Sequence, residues 1–287
     1  MTAEPPPIDG VRRSFVDANG VRFHVTEAGP SDGRPVLALH GWPQHHWEWR
    51  DLLADPPPGL RIIAPDLPGY GWSGPAPHKW AKADVAADVL ALMDAMGLDR
   101  VLLLAHDWGA FAGYIMVMDE PQRFEGYLAC NMAHPWVSTR MALPHFWRFA
   151  YQVPLATFGI AVQRRTPYVE RFILGIGSRM DRETAHVFAD RFRDPVCAKA
   201  GRDTYRTFLT HDIPQGSKNP ETRRATLPIR ALFGTGDFAV APSFVAAETA
   251  NADDYTLETV DATHFVVDER PDLVRKKLIA LAEETAA

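Results

Sequence analysis

A reactive carboxylate, Asp107, lies in a short segment whose spacing of residue types favours nucleophilic chemistry. Residues 105–109 read Ala-His-Asp-Trp-Gly, so small residues stand two positions away on either side of it. The apolar run at 101–104 predicts a buried strand, and residues 110–116 predict a helix entering the same core. A nucleophile in such a tight strand-to-helix turn is a nucleophile elbow. A carboxylate there can displace a leaving group from saturated carbon, which leaves an alkyl ester on the protein.

Two residues further along the chain could complete a catalytic set with this carboxylate. Asp237 follows the apolar run at 229–233, and His264 follows the run at 255–260, the last strand that the sequence predicts. The order nucleophile, acid, histidine is the one found in hydrolases that use this elbow. We therefore predict that His264 is the general base and that Asp237 orients it.

Backbone N–H groups near the elbow could stabilise an oxyanion. The apolar run at 35–39 leads into residues 40–43, His-Gly-Trp-Pro, in which the proline has no N–H to donate. In the elbow arrangement one donor comes from this turn and the other from the residue after the nucleophile. The predicted pair of donors is Trp42 and Trp108.

The elements that position these residues alternate between apolar strands and helices. Further strands are predicted at 13–16, 21–25, 61–65 and 124–130, and helices at 81–96 and 271–284. The Asn-Gly pair at 19–20 predicts a hairpin between the first two strands. Alternation of this kind predicts an α/β fold, with a mostly parallel central sheet and helices on both faces.

The middle of the chain lacks this alternation, and its apolar and aromatic residues recur at helical spacing. We predict a helical cap domain at 132–227, inserted into a core domain formed by 1–131 and 228–287. From 138 to 207, 11 Arg and 1 Lys against 6 Asp and Glu give a net charge of +6, which leaves −12 elsewhere in a chain whose total is −6. The simplest interpretation is a basic cap on an acidic core, because no basic patch typical of nucleic-acid binding occurs.

Composition and length exclude several classes of protein. With 287 residues, 46% hydrophobic and 23% charged, the chain has the composition of a globular protein with a sizeable core. Its net charge of −6 gives no general attraction to nucleic acid or to an anionic membrane, and no apolar run reaches transmembrane length. Residues 1–7 lack the pattern of a signal peptide, and Cys130 and Cys197 make no disulfide framework, so a cytoplasmic location is predicted.

The chain resembles the α/β-hydrolase superfamily and, within it, the soluble epoxide hydrolases, from about residue 15 to residue 282. Residues 40–50 resemble that family's HGxP segment with its downstream Trp-Arg pair, 106–109 match its HDWG elbow, and 66–73 match its loop after the next strand. Haloalkane dehalogenases are close relatives that share the elbow, but they usually carry Asn where this chain has Trp42. The resemblance therefore implies epoxide rather than halide chemistry.

The resemblance also implies a proton donor in the cap, because opening an epoxide creates an alkoxide. Tyr205-Arg206 is similar to the family's Tyr-Arg motif, which assigns Tyr205 as that donor. Trp147 stands where the family usually has a second tyrosine, and Tyr151 follows one turn later. In a dehalogenase, Trp147 and Trp108 could instead offer two indole N–H groups to a halide.

The substrate pocket is the least determined part of the site. Four residues are assigned to it: His40, Trp147, Tyr151 and Asn131. His45 and His46 are predicted at its rim. Some relatives place the triad acid at the position of Asn131, but an amide cannot stabilise an imidazolium by charge. No metal is predicted, because the histidines and carboxylates show no ligand spacing beyond chance.

Together these assignments predict an epoxide hydrolase that converts a hydrophobic small-molecule epoxide to a vicinal diol. Asp107 attacks a ring carbon while Tyr205 protonates the oxygen, and water activated by His264 then hydrolyses the aspartyl ester. The partners are the epoxide and water. No cofactor, nucleic acid or membrane is expected, and a homodimer is possible. Two alternatives remain: a haloalkane dehalogenase with the same nucleophile, and a non-catalytic ligand-binding protein with the hydrolase fold.

Overall fold

One twisted sheet forms the centre of the molecule. A computed structural model describes residues 5–136, 143–177, 179–218, 221–246 and 251–286. For Phe146 and Ser217 it describes the backbone only. The strands are β1 (Arg12–Ala18), β2 (Val21–Ala28), β3 (Arg34–Leu39), β4 (Leu60–Pro65), β5 (Val101–His106), β6 (Phe124–Cys130), β7 (Ile229–Gly234) and β8 (Tyr255–Val260). They lie in the order β1-β2-β4-β3-β5-β6-β7-β8. The pairs β1–β2 and β2–β4 are antiparallel and the other pairs are parallel, which confirms the predicted α/β architecture.

Helices follow most of the strands. They are α1 (Arg50–Ala54), α2 (Lys82–Ala95), α3 (Asp107–Asp119), α4 (Gln152–Arg165), α5 (Tyr168–Ile176), α6 (Arg182–Arg191), α7 (Pro195–Thr207), α8 (Ile213–Lys218), α9 (Val266–Glu269) and α10 (Pro271–Glu284). Short 3₁₀ helices lie at His46–Trp49, Pro121–Arg123, Leu143–Tyr151 and Pro242–Val245, and a π-helical turn at Phe208–Asp212 joins α7 to α8. Within the described part of the chain, no helix is long and apolar enough to cross a membrane.

The core lies on both faces of the sheet, because successive strand residues point to opposite sides. On β3, Leu37 and Leu39 pack into a cluster with α2 and α3. The neighbouring Val36 and Ala38 pack into a second cluster with α1 and α10. Strands buried on both faces need unbroken apolar runs, which is why those runs predicted the strands so well.

The described residues between β6 and β7 form helices joined by turns and loops, and Ala225 makes an isolated bridge with Ala252. Its longer helices, α4 and α7, pack closely, and small residues permit this. Gly159 of α4 faces Arg202, and Gly201 of α7 faces Gln163, with no room for a Cβ at either glycine. These helices lie over the edge of the sheet at which the predicted catalytic residues meet.

Candidate active site

The nucleophile elbow has the strained geometry that its sequence predicts. Asp107 lies between β5 and α3 with φ at +47°, in the left-handed region that a residue with a side chain rarely adopts. A Cβ at Gly109 would clash with the carbonyl oxygen of His40, and one at Gly41 would clash with the Asp107 side chain. The small residues therefore let the chain turn sharply enough to present the carboxylate.

His264 and Asp237 meet Asp107 at the carboxyl edge of the sheet. His264 Nδ1 lies 2.9 Å from Asp237 Oδ2, a hydrogen bond, and all three side chains are buried. His264 Nε2 lies 3.6 Å from Asp107 Oδ1, which is too long for a hydrogen bond. The imidazole thus faces the carboxylate without a hydrogen bond to it, and its Nε2 is available to a water beside the carboxyl group.

The charges of these groups support one another. Burial raises the pKa of Asp237, but the facing His264 and the hydrogen bonds to the carboxylate outweigh it and hold that pKa below its usual value. Burial lowers the pKa of His264, but the charges of Asp237 and Asp107 outweigh it and raise that pKa. Burial raises the pKa of Asp107, opposed by His264 and by backbone N–H groups. Asp237 is therefore a fixed anion beside a histidine that can hold a proton.

Both predicted oxyanion donors point at the nucleophile. The N–H of Trp42 donates to Asp107 Oδ2 at 2.9 Å. The N–H of Trp108 also donates to this carboxylate and lowers its pKa. In an Asp107 ester the same two groups would face the carbonyl oxygen, where negative charge develops during hydrolysis.

Tyr205 and Tyr151 lie together above the elbow. The ring of Tyr205 meets the rings of Trp42, Trp108 and Tyr151 edge-on, with centroids 5.1, 5.6 and 5.8 Å apart. Burial raises the pKa of both phenols, against smaller opposing effects of the Trp108 side chain on Tyr205 and of Tyr205 on Tyr151, so both are protonated near neutral pH. Two neighbouring phenols can offer a proton to a substrate oxygen.

Trp147 does not lie in this group. Its side chain is 58% exposed and packs against Phe238 and Arg148 on the surface. It belongs to the 3₁₀ helix Leu143–Tyr151, in which three residues complete a turn. Four residues then span about 480°, so positions 147 and 151 point in different directions. Tyr151 therefore faces inward where α-helical spacing would have placed both residues on one side.

Asn131 and His40 support the site from behind. Asn131 donates from Nδ2 to Asp237 Oδ2 at 2.8 Å, and its Oδ1 accepts from the Gly234 N–H. His40 accepts from the Leu67 N–H through Nε2, and burial lowers its pKa to about 4, which keeps it neutral. Neither residue is among those that line the cavity next to Asp107.

An apolar cavity of about 120 Å³ opens beside the nucleophile. It is lined by Asp107, Trp108, Phe111, Met132, Ala133, His134, Pro135, Phe149, Tyr151, Gln152, Phe208, Asp212, Ile213, Gly216, Ala239, Val240 and Phe244. Tyr151 is the predicted pocket residue that the cavity reaches. Sequence reasoning missed the polar lining residues Gln152 and Asp212, whose only signal was their proximity to Tyr151 and to the Tyr205 helix.

His106 is another residue whose contacts the sequence did not reveal. Its Nε2 donates to the backbone oxygen of His264 at 2.8 Å, and its Nδ1 lies 3.4 Å from Glu48 Oε2. Burial lowers the pKa of His106, but the charge of Glu48 outweighs it and raises that pKa to about 9. The His106 side chain thus also fixes the loop that carries the general base, through its bond to the His264 backbone.

A group of three buried residues, His24, His46 and Asp66, brings metal-binding side chains together away from the cavity. Each histidine bonds one oxygen of Asp66 through Nδ1, at 2.8 and 2.9 Å. The N–H groups of His46 and Trp72 also donate to this carboxylate. These hydrogen bonds explain the cluster as a brace for the loop after β4. His45 and His46, predicted at the rim of the pocket, lie in this buried region instead.

Comparison with known proteins agrees with this geometry. Residues 34–271 match the family model for the alpha/beta hydrolase fold, so the chain belongs to the α/β-hydrolase family and is an enzyme of the hydrolase class. Among curated proteins it is 28% identical to the soluble epoxide hydrolase of Corynebacterium sp. (strain C12), over 89% of this chain and 92% of that protein. It is 26% identical to the AB hydrolase superfamily protein YfhM of Bacillus subtilis (strain 168), over 95% of this chain and 98% of that protein. Among solved structures it resembles the epoxide hydrolase CorEH without ligand, with a TM-score of 0.79 and 25% identity, over 94% of this chain and 98% of that chain.

Proposed function

We propose that this α/β-hydrolase is an epoxide hydrolase that opens a small hydrophobic epoxide to a vicinal diol. The observation that carries the proposal is the pairing of an elbow aspartate with a buried phenol, Tyr205, and a half-buried one, Tyr151, next to one apolar cavity. A carboxylate nucleophile suits attack on saturated carbon, and the phenols suit the strongly basic alkoxide that leaves. The similarity to proteins named epoxide hydrolases supports the same activity.

In the first step, Asp107 attacks a ring carbon and the C–O bond of the epoxide breaks. The Trp42 N–H holds Oδ2, so we assign the attack to Oδ1. The bonding electrons pass to the epoxide oxygen, which takes a proton from the pair formed by Tyr151 and Tyr205. Because Tyr151 lines the cavity and Tyr205 lies behind it, Tyr151 is the donor nearer the substrate.

In the second step, a water molecule hydrogen-bonded to His264 attacks the carbonyl carbon of the ester. His264 takes its proton, with the positive charge stabilised by Asp237. The negative charge develops on the oxygen that faces the N–H groups of Trp42 and Trp108. As this intermediate collapses, the bond to the diol oxygen breaks and that oxygen takes the remaining proton of the added water, which releases the diol and restores the carboxylate. The proton on His264 returns through solvent to the phenolate.

The cavity sets the size of the substrate that we propose. Its volume of about 120 Å³ is comparable to an apolar cavity of about 150 Å³ that binds benzene. Aromatic side chains, including Phe111, Phe149, Phe208 and Phe244, line it. An epoxide with one aromatic ring, such as styrene oxide, is therefore a suitable probe.

We also propose the division of the chain that the sequence indicates. The core domain comprises 1–131 and 228–287 and carries Asp107, Asp237 and His264. The cap domain comprises 132–227 and contributes the phenols and much of the cavity wall. A cytoplasmic location and the use of epoxide and water without a cofactor belong to the same proposal.

The decisive experiment combines product analysis with isotope labelling. The protein is incubated with styrene oxide and, separately, with a bromoalkane, and diol and bromide are measured. A single turnover in H₂¹⁸O should yield diol without ¹⁸O and place the label in the peptide that contains Asp107, because water attacks the ester carbonyl. Label in the first-turnover diol would contradict the covalent route, and bromide release without diol would favour the dehalogenase. A binding protein would give neither product.

A trapping variant tests the same intermediate. In His264→Gln, alkylation should proceed while hydrolysis fails, so intact-mass measurement should show protein plus substrate at Asp107. Asp107→Asn is the control, in which no adduct should form. An adduct that maps to another residue would refute the assignment of the nucleophile.

A further inference from the structure

A buried ammonium group lies behind the elbow, outside the catalytic set of Asp107, Asp237 and His264. Lys82, the first residue of α2, is only 1% exposed. Its Nζ lies 3.0 Å from Asp212 Oδ2 and donates to the backbone oxygen of Thr204. A buried charge needs partners of this kind, because removal from water disfavours the charged form.

The partners of Lys82 surround one residue, Tyr205. Thr204 precedes Tyr205 on α7, so the ammonium holds the carbonyl of the peptide bond that leads into it. Lys82 Nζ also lies 4.7 Å from the centroid of the Trp108 ring, which meets the Tyr205 ring edge-on with the centroids 5.6 Å apart. Asp212 ends the π-helical turn that continues α7. The ammonium thus touches the backbone before Tyr205, the Trp108 ring that packs against Tyr205 and the end of the turn after it.

The π-helical turn strengthens this connection. A π-turn inside or beside an α-helix adds a residue and rotates the next part of the helix, and such turns are frequent at functional sites. Here Asp212 both pairs with Lys82 and lines the cavity next to Ile213. The ring of Phe208, at the start of the turn, also faces the ammonium, with its centroid 5.6 Å away.

We propose that Lys82, paired with Asp212, is a positioning residue that fixes the Tyr205 hydroxyl for protonation of the substrate oxygen. This inference rests on the proposed epoxide chemistry. Lys82 belongs to the helix after β4, whereas Thr204 and Asp212 belong to the helical segment that carries the phenols. The pair therefore sets where the donor lies relative to Asp107.

The two half-reactions separate this role from a general contribution to folding. Donation by the phenols matters for opening the epoxide, whereas hydrolysis of the ester depends on His264 and water. In Lys82→Met, which keeps the length of the side chain, we expect alkylation in a single turnover to slow by about 10-fold or more. Hydrolysis of the isolated ester should change by less than about 2-fold. Equal loss in both steps, or no loss in alkylation, would overturn the proposal.

A double-mutant cycle tests whether Lys82 acts through Tyr205. If it does, Lys82→Met should cost little further alkylation rate in a Tyr205→Phe background, because the group that it positions is already gone. A full additional loss would show that Lys82 acts independently and would overturn the proposal. Lys199→Met is the matched control. It removes an ion pair with Asp203 on the same helix α7, but its side chain is 50% exposed, and both half-reactions should be unchanged.

Two further measurements keep the test decisive. Should Lys82→Met fail to fold, Asp212→Asn serves in its place, since it removes the ion pair and keeps the contacts of Lys82 with Thr204 and Trp108. Because Asp212 also lines the cavity, its readout is hydrogen exchange and not the alkylation rate. Hydrogen exchange of the peptide covering 204–212 should be faster in either variant and unchanged in Lys199→Met. If the wild type opens no epoxide, the proposed function fails, whereas unchanged exchange in 204–212 refutes the positioning role by itself.

Discussion

Four donors converge on the carboxylate of Asp237, which makes this acid an unusually well fixed partner for the general base. His264 and Asn131 bond Oδ2, and the N–H groups of Ala239 and Val240 bond Oδ1. The backbone donors and Asn131 fix the orientation of the carboxylate. Its negative charge then stabilises the imidazolium that forms when water is deprotonated.

We therefore expect Asp237→Asn to lower kcat for diol formation by about 10³-fold or more, by analogy with other triads. Asn131→Ala removes one of several hydrogen bonds and keeps the charge, so its effect should be about 10-fold. Steady-state kinetics with styrene oxide measure both changes. A larger loss in Asn131→Ala than in Asp237→Asn would contradict the assignment of the acid.

The phenols provide the second test at this scale. Tyr205→Phe and Tyr151→Phe keep the rings and remove the O–H groups, so each should slow alkylation. The more damaging of the two substitutions should slow it by about 10²-fold. Trp147→Phe should leave the rate unchanged, because its exposed indole packs only on Phe238 and Arg148 among its described contacts. Rapid-quench measurement of the ester gives these rates. A large effect of Trp147→Phe, with none from the tyrosines, would refute this placement of the donor.

At the scale of elements, the elbow depends on close approach of two backbones. Gly109 lies where any Cβ would enter the space of the His40 and Leu39 carbonyl oxygens. Backbone atoms of a buried strand cannot yield as the end of a flexible side chain can. The same constraint ties the elbow to the turn that carries the Trp42 donor.

Gly109→Ala should therefore lower the free energy of unfolding by about 2–3 kcal/mol and abolish most activity, because the oxyanion donors are displaced. Gly175→Ala is the matched control, since a Cβ there meets no atom within 4 Å. On α5 it should raise the free energy of unfolding by about 0.5 kcal/mol through the loss of unfolded-state entropy. Urea titration of both variants measures the difference. A neutral Gly109→Ala would show that the elbow accepts a side chain at this position.

The sequence predicted regular elements well for a physical reason. The strands β6 and β8 and the helix α10 have the bounds that the apolar runs and Pro271 indicated. The apolar residues of a buried strand or an amphipathic helix recur with a spacing that identifies the element. The 3₁₀ helix Leu143–Tyr151 and the π-turn Phe208–Asp212 have no such distinct spacing, because the periods of 3₁₀, α and π helices differ little over a few residues. Those two elements decide whether Trp147 or Tyr151 faces inward and where Asp212 lies.

At the scale of the whole molecule, the sheet topology explains why the catalytic set could be predicted. The carboxyl ends of parallel strands meet at one edge of a sheet. The residues after β3, β5, β7 and β8 must therefore converge there, and Trp42, Asp107, Asp237 and His264 do so. The cavity wall depends instead on how the helices after β6 pack over that edge, and no local sequence pattern predicts this packing.

Charge is distributed less simply than the sequence suggested. The positive helical segment contacts the rest of the molecule partly through backbone oxygens, as when Arg148 donates to the carbonyl of Asp237. The surface pair of Arg179 with Asp261 follows the predicted polarity. The pair of Lys82 with Asp212 reverses it, because the cation belongs to α2 and the anion to the helical segment between β6 and β7. Overall charge therefore does not indicate which ion pairs are buried.

The charges of the site also determine how the two half-reactions respond to pH. Alkylation needs ionised Asp107, whose pKa is raised by burial, so its rate should fall as the pH drops through that raised pKa. Hydrolysis needs neutral His264, whose pKa in the free protein is raised by Asp237 and Asp107 against the effect of burial. Once Asp107 is an ester, one of these two negative charges is gone, and the pKa of His264 falls.

We therefore expect hydrolysis of the ester to slow as the pH drops, with an apparent pKa below that of His264 in the free protein, and the ester to accumulate under acidic conditions. Single-turnover rates of both steps, measured from about pH 5 to about pH 9, give the two profiles. The unreacted protein supplies the reference, through the NMR titration of His264. In Asp237→Asn the hydrolysis profile should move to still lower pH, because the remaining charge that favours the imidazolium has been removed. Hydrolysis that accelerates as the pH falls would contradict a histidine base, since protonation would then be assisting the step that we assign to the neutral imidazole.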